Sequence, residues 1–185
     1  WLSLLALPLL LSNPGSAQAP SAPRSQVDPS WPLEMPNLWV MGAVTGVFVD
    51  AKQHVWVTHL PETLTEEELY AEQKPPMATC CHAAPPVLEF DAKGKLVQGW
   101  GQGSMDDTSQ WPREPHGIFV DHNDFVWVGS YNRHRVMKFT REGKHLLTIG
   151  EYEKTGGSAD TKLLGGPSGI WVDPKTNEAF ISDGY

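Results

Sequence analysis

Short apolar segments alternate with polar turns along most of the chain. One unit, Gly-(Val/Ile)-(Phe/Trp)-Val-Asp, occurs three times, at residues 46–50, 117–121 and 169–173. After each aspartate come a polar turn and a second apolar segment, at residues 55–57, 126–128 and 179–181. Apolar runs of this length, bounded by Gly, Asn and Asp, predict antiparallel β-hairpins.

The first two copies continue into two further strands, within residues 87–101 and 136–150. Each complete repeat is therefore predicted to hold four antiparallel strands. A small sheet that is apolar on both faces must stack on copies of itself, and radial stacking of four-stranded blades is the β-propeller. Trp56 and Trp127, at matching positions, are predicted to pack between blades.

The repeats divide the chain into blade 1 at residues 41–101, blade 2 at 111–150 and the start of blade 3 at 165–185. We predict an all-β propeller of which about two and a half blades are present. Propellers close with about four to eight blades, so the sequence is predicted to be a fragment of a larger propeller.

Blade 1 carries an insertion at residues 60–84, between its second and third strands. Three consecutive glutamates follow Thr63 and Thr65 there, which predicts a short helix with one of these threonines as N-cap. Insertions of this kind often shape the binding mouth of a propeller.

Residues 1–19 combine an uncharged apolar run with the small-x-small site Ala17-Gln18-Ala19. This pattern predicts a cleaved secretory signal peptide, with an uncleaved signal anchor as the alternative, followed by a Pro/Ser-rich linker at residues 20–40. The apolar run itself covers residues 1–12. As a helix, twelve residues would be about 18 Å long, which is shorter than the bilayer core of about 30 Å. We expect a secreted or periplasmic protein whose mature form has no membrane span.

The formal net charge is −8 and only 19% of residues are charged, with Lys and Arg scattered. A nucleic-acid partner is not expected, because it requires a basic stripe that displaces counterions from phosphates. The 17 glycines and 16 prolines argue against a helical bundle.

Cys80 and Cys81 are adjacent within the insertion and precede His82. In an oxidising compartment they could form a vicinal disulfide, pair with cysteines outside this sequence, or bind a metal together with His82. Consecutive residues do not converge easily on one tetrahedral ion. A disulfide is therefore the favoured prediction.

The pattern Pro-x-Gly-(Ile/Val)-x-Val-Asp, followed by Val-Trp-Val and by residues 132–139, resembles the NHL repeat. Within that group the chain is similar to the peptidyl-α-hydroxyglycine α-amidating lyases, most strongly at residues 115–128 and 172–185. The resemblance implies a propeller that is six-bladed when complete and a reaction that cleaves a carbinolamide to an amide and glyoxylate.

In that family three histidines hold a zinc ion in the central channel, each just before the glycine of an inner strand. The resemblance assigns one of these ligands to His116, whereas Thr45 and Ser168 stand at the matching positions of the neighbouring repeats. It also implies a calcium ion bound by the backbone carbonyls of Val47 and Ile118.

Three imidazoles leave an open position on zinc, where a substrate oxygen can be polarised. The resemblance implies that Tyr185 is the catalytic tyrosine. A phenol under the field of the metal loses its proton more easily and can act as the base on the substrate hydroxyl.

One departure from the family concerns a His-Arg pair that contacts the substrate, which aligns with His59 and Leu60. Leucine cannot supply the charged fork that holds a carboxylate, so the expected loss is on the order of several kcal/mol of transition-state binding. His59, or His82 from the insertion, is a candidate to substitute for this arginine in part.

Two functions of different class follow from these patterns. The first is a zinc-dependent lyase that acts on a small-molecule or peptide substrate. The second is a non-catalytic exported propeller that binds a peptide, a glycan or a protein partner at the same mouth.

Overall fold

The computed structural model describes residues 22, 24–101, 111, 113–157 and 159–184. Within these residues the regular structure is twelve β-strands and two short 3-10 helices, Pro36–Leu38 and Pro61–Thr63, with no α-helix. The strands are β1 (Trp39–Val40), β2 (Ala43–Val49), β3 (Val55–Leu60), β4 (His82–Ala83), β5 (Val87–Phe90), β6 (Leu96–Trp100), β7 (Pro115–Val120), β8 (Val126–Ser130), β9 (Arg135–Phe139), β10 (His145–Gly150), β11 (Pro167–Val172) and β12 (Ala179–Asp183).

The strands assemble into repeated antiparallel sheets. Blade 1 has the order β2-β3-β5-β6, blade 2 has the order β7-β8-β9-β10, and β11 pairs with β12 in a third sheet. The register of the first hairpin is the same in each sheet: Val47 lies opposite Val57, Ile118 opposite Val128 and Ile170 opposite Ile181. The predicted all-β fold of four-stranded antiparallel blades is confirmed.

The first strands of the three sheets, β2, β7 and β11, lie side by side. The Thr45 hydroxyl donates a hydrogen bond of 2.7 Å to the Pro115 carbonyl across the first of these junctions. A Cβ on Gly46 would lie only 2.7 Å from the His116 carbonyl oxygen. The repeated glycine is therefore required because two backbones approach closely at that point, and the blades fan outward from this line of contact.

Apolar side chains fill the spaces between neighbouring blades. Trp56 of blade 1 is fully buried in a cluster that includes Ile118 and Val128 of blade 2. Trp127 of blade 2 packs in the same way with Val172 of the third sheet. The prediction that both indoles pack between blades is confirmed.

Part of the segment predicted as a linker packs against blade 1. The Trp31 ring lies 5.5 Å from the Phe90 ring, measured between centroids. The backbone N–H of Leu33 donates a 2.9 Å hydrogen bond to the Gly94 carbonyl, and β1 pairs in parallel with β4 of the insertion. Residues 31–40 therefore cover one side of blade 1.

The helix predicted at the start of the insertion does not form. Thr65 and Glu68 make the reciprocal contacts of a capping box, with N···O distances of 2.8 and 3.3 Å. Only turns follow, however, before Pro75. So short a stretch cannot repay the cost of nucleating a helix without tertiary packing, so the cap contacts persist while the helix does not.

The predicted signal peptide at residues 1–19 and the predicted catalytic residue Tyr185 lie outside the described residues. In the part of the chain that is described, no helix has the length and hydropathy needed to cross a bilayer.

Candidate functional site

The inner strands β2, β7 and β11 line a hollow of about 490 Å³. At one end of the hollow, polar residues precede the three inner-strand glycines; we call this end the polar rim. Beyond the glycines the wall is apolar. The polar rim consists of Thr45, His116 and Ser168, and the apolar wall includes Val47, Ile118 and Ile170.

His116 is half-buried at the polar rim, on the second residue of β7. Its Nδ1 atom is buried, so an ion in the hollow would meet the ring through Nε2. The imidazole centroid lies 5.8 Å from that of the Tyr131 ring, with 41° between the planes. The structure therefore places the predicted zinc ligand on the wall of the hollow and beside an aromatic ring.

The residues of the polar rim fit zinc only in part. Zinc binds imidazole nitrogens, thiolates and carboxylates, and its sites use three or four protein ligands. Among the described residues of the rim, His116 alone is of that kind. Thr45 and Ser168 carry hydroxyls, and the Thr45 hydroxyl already donates to the Pro115 carbonyl. The described rim thus offers one zinc ligand.

His59 is wholly buried at the end of β3. Its Nδ1 accepts a hydrogen bond of 3.1 Å from the Gly42 N–H, and its Nε2 lies 3.0 Å from the Pro85 carbonyl, to which it donates. Burial lowers the pKa of His59, so the ring is neutral and this tautomer satisfies both contacts. The ring joins three backbone segments, and its predicted contact with substrate stays a prediction.

Leu60, which aligns with the family's arginine, is half-buried where β3 runs into the 3-10 helix. A guanidinium does lie at the same end of blade 2. Arg133 pairs with Glu114 at 2.6 Å, just before β7, and with Glu153 at 2.7 Å. Two carboxylates already pair with the terminal nitrogens of this guanidinium, so we do not assign Arg133 the role of the arginine missing at position 60.

The two predicted calcium ligands occupy equivalent positions on β2 and β7, directly after the repeated glycines. The Ile118 side chain is buried between blades 1 and 2, whereas the Val47 side chain is exposed. Their backbone carbonyls as calcium ligands stay a prediction.

Cys80 and Cys81 are joined to each other by a disulfide in the insertion. Of the alternatives left open by the sequence, this is the vicinal pairing, and it uses the thiols that a metal would need. The next residue, His82, lies 3.7 Å from the Glu72 carboxylate. Glu72 also accepts a hydrogen bond of 2.8 Å from the backbone N–H of Ala83, which ties β4 to the earlier turns of the insertion.

A second group of metal-type ligands was not foreseen from the sequence. Carboxylate or imidazole atoms of Asp50, His54 and Glu89 lie within 4.8 Å of one another. The Arg141 guanidinium of blade 2 occupies this group, 2.7 Å from Asp50 Oδ2 and in direct contact with Glu89. A fixed positive charge there repels a cation, so the group is an ion-pair network between blades. A glutamate inside the apolar run 87–90 was the available signal.

No family model matches the chain. The peptidyl-alpha-hydroxyglycine alpha-amidating lyase 2 of Drosophila melanogaster is 31% identical over 177 residues, which cover 90% of this chain and 39% of that protein. The predicted resemblance to the amidating lyases is confirmed. The peptidyl-glycine alpha-amidating monooxygenase of Mus musculus is 24% identical over 160 residues, which cover 83% of this chain and 15% of that protein.

The chain thus spans well under half the length of these amidating-lyase relatives. Among solved structures, a streptogramin B lyase is similar with a TM-score of 0.46 and 13% identity, covering 77% of this chain and 35% of the other. A virginiamycin B lyase from Staphylococcus aureus has a TM-score of 0.44 and 15% identity, covering 76% and 34% of the two chains.

Proposed function

We propose that this chain is part of an exported, zinc-dependent lyase that cleaves a peptidyl-α-hydroxyglycine-like carbinolamide to an amide and glyoxylate. The observation that carries the proposal is the position of His116. Its imidazole lies on the polar rim of a hollow between three blades, in a chain that is 31% identical to an amidating lyase over 90% of its length.

In this proposal His116 is one of the zinc ligands, and zinc, when bound, supplies a Lewis acid for a substrate oxygen. Strand β7 holds the imidazole at the rim, between Thr45 and Ser168. The Thr45 hydroxyl donates its hydrogen bond to the Pro115 carbonyl, so in this proposal it can accept a hydrogen bond from a polar substrate.

The reaction needs one proton to move. The carbinolamide C–N bond breaks, the hydroxyl proton leaves as the aldehyde of glyoxylate forms, and the amide nitrogen gains a proton. We assign proton removal to Tyr185. The preceding segment is well held, because Asp183 accepts hydrogen bonds of 2.8 and 2.7 Å from the N–H groups of Gly165 and Gly166.

A structural calcium ion on the carbonyls of Val47 and Ile118 also belongs to the proposal, as does export directed by residues 1–19. Leu60, at the position of the family's arginine, affects which substrates we expect the protein to cleave. Without a guanidinium at this position, we expect weak cleavage of substrates whose recognition depends on a charged carboxylate.

Metal content tests the first step. Zinc bound by the full-length protein should fall sharply in His116→Ala. The matched control is His122→Ala, since His122 is exposed in the turn between β7 and β8, and this variant should keep the wild-type zinc content. Equal zinc in both variants would reject His116 as a ligand.

Glyoxylate release from a peptide that ends in α-hydroxyglycine tests the activity. We expect slow release by the wild type and faster release by Leu60→Arg, because the variant restores a charged fork at the position of the family's arginine. If both proteins hold zinc yet release no glyoxylate, the lyase proposal fails, and the non-catalytic binding function becomes the better hypothesis.

A further inference from the structure

We propose that Tyr131 is a positioning residue for His116, and that its ring sets the plane in which the imidazole faces the hollow. The inference rests on the proposed function only for what the imidazole binds. Tyr131 is not one of the site residues that the sequence predicted.

The first support is the contact between the two rings. Their centroids lie 5.8 Å apart with the planes tilted by 41°, within the range of about 4.5–7 Å that aromatic pairs prefer. His116 Nδ1 is buried, so a ring flip would move a buried polar edge into the hollow. Tyr131 therefore packs against an imidazole whose orientation is the one that keeps Nδ1 buried.

The second support is how Tyr131 itself is held. Its ring packs on Gly166, where an added Cβ would lie 2.8 Å from Tyr131 Cδ2. Gly166 in turn donates to Asp183 at 2.7 Å and accepts from the Gly184 N–H at 3.0 Å. The Tyr131 ring therefore contacts both His116 of β7 and the segment that leads into β11.

The third support comes from the repeat. Tyr131 is the first residue after β8, and by register it corresponds to Leu60 of blade 1, because Val44 lies opposite His59 and Pro115 lies opposite Ser130. In blade 1 this position is filled by an aliphatic side chain. In blade 2 it carries a ring that contacts the predicted ligand.

Zinc affinity of the full-length protein, measured by competition with a chromophoric chelator, is the first test. Removing a residue that orients a metal ligand costs about 10- to 100-fold in affinity, so we expect Tyr131→Ala to bind zinc about tenfold more weakly. Tyr131→Phe keeps the ring and should stay within about threefold of the wild type. Wild-type affinity in Tyr131→Ala would overturn the proposal.

The second test needs no metal. In metal-free protein labelled with ¹⁵N-histidine, the His116 imidazole signals are assigned by their loss in His116→Ala. We expect Tyr131→Ala to shift or broaden these signals and Tyr131→Phe to leave them in place. Unchanged signals in Tyr131→Ala would overturn the proposal whether or not the protein binds zinc.

A matched control separates positioning from general loss of structure. Tyr152 is another tyrosine, in the turn just after β10, and its ring lies beside Arg133 and Arg135. Tyr152→Ala should leave the His116 signals unchanged. If it shifts them as much as Tyr131→Ala does, the positioning role is rejected.

Two further outcomes have fixed meanings. If Tyr131→Ala does not fold, Tyr131→Leu retains most of the volume but not the aromatic plane, and it should show the same change in the His116 signals. If the wild type binds no zinc, the proposed lyase function fails, and the imidazole spectrum alone decides the role of Tyr131.

Discussion

Blades 1 and 2 share the same contact between an aspartate and a tryptophan, but the negative charge of the aspartate is neutralised by a different kind of partner in each blade. Asp50 accepts hydrogen bonds from the backbone N–H groups of its turn, at 2.8 and 2.9 Å, and from the Trp56 indole at 3.0 Å. Asp121 does the same in blade 2, and its bond from Trp127 is 2.8 Å. The shared pattern closes the first hairpin and orients the indole that packs between blades.

The difference lies in the source of the positive charge. In blade 1 it comes from the next blade, because Arg141 pairs with Asp50 and Glu89 and stacks 5.0 Å from the Trp56 ring. In blade 2 it comes from the same blade, where Lys138 takes the place of Glu89. Its ammonium lies 3.5 Å from Asp121 and 4.8 Å from the Trp127 ring. The aspartate of a repeated turn can therefore be neutralised by a cation from the next blade or by one from the same blade.

Reversing the charge in blade 1 should have the largest effect. Glu89→Lys places an ammonium against Arg141 in a buried site, and we expect a loss of about 3–5 kcal/mol in the free energy of unfolding. The double variant Glu89→Lys, Arg141→Ala copies the arrangement of blade 2 and should recover part of that loss. Urea unfolding of the full-length protein measures both. Additive losses in the double variant would refute the charge pairing.

Neutralising each cation separately sharpens the comparison. Arg141→Met leaves two buried carboxylates without their partner and should cost about 3 kcal/mol. Lys138→Met removes a partly exposed charge from one buried carboxylate, which keeps its hydrogen bonds from the turn and from Trp127, and it should cost less, about 1–2 kcal/mol. Equal losses of unfolding free energy for the two variants would mean that the junction gains nothing from the cross-blade pairing.

The decrease in the free energy of unfolding at acid pH should depend on Asp50. Burial by itself would raise the pKa of this carboxyl, but hydrogen bonds from Trp56, from the His54 N–H and from Arg141 hold it below its ordinary value of 3.8. The stability contributed by the ionised group is therefore present above pH 3.8 and is lost as the pH falls through the lower, folded-state pKa.

Asp50→Asn should cost about 1–3 kcal/mol at neutral pH, because Arg141 and Trp56 lose their charged acceptor. Its unfolding free energy should then change less than that of the wild type between neutral pH and pH 2. A variant that falls as steeply as the wild type below pH 4 would contradict the assignment.

The smallest effect should come from His59, where blade 2 has the non-titrating Ser130. Burial holds the pKa of His59 below its ordinary value of 6.5, so the unfolded chain binds a proton that the folded chain does not. Stability is then full above pH 6.5 and falls as the pH drops below it, by about 1.4 kcal/mol for each unit of pKa difference at most.

His59→Gln keeps a donor for the Pro85 carbonyl and removes the titration. The difference in unfolding free energy between wild type and variant should therefore narrow as the pH falls from 7 to 5. A difference that stays constant with pH would show that His59 does not bind protons differently in the two states.

Much of the fold was predictable from the repeat. Three copies of the glycine–aspartate unit predicted the hairpins, and Trp56 and Trp127 were correctly placed between blades. The helix after Thr65 was predicted wrongly, because a capping signal is local whereas a short helix needs a packing partner. His116 was predicted at the site, and the structure places it on the polar rim.

Other features of the site could not be predicted from spacing. The contact of Tyr131 with His116 joins a residue just after β8 to one on β7, and the Tyr131 ring also packs on Gly166, just before β11. The burial of His59 depends on backbone groups at residues 42 and 85. None of these distances follows from local sequence, because each depends on how one blade packs against its surroundings.

The sequence by itself determined the blade: alternating apolar residues set the strands, Gly, Asn and Asp set the turns, and the aspartate–tryptophan pair recurs at constant spacing. Local backbone preferences and the periodicity of burial act within one repeat, so they can be recognised in the sequence. Only the tertiary structure decided which charge neutralises which carboxylate and which ring lies beside His116. Those interactions join separate strands and turns, within one blade for Lys138 and Tyr131 and across a blade junction for Arg141, so they depend on packing and not on local sequence.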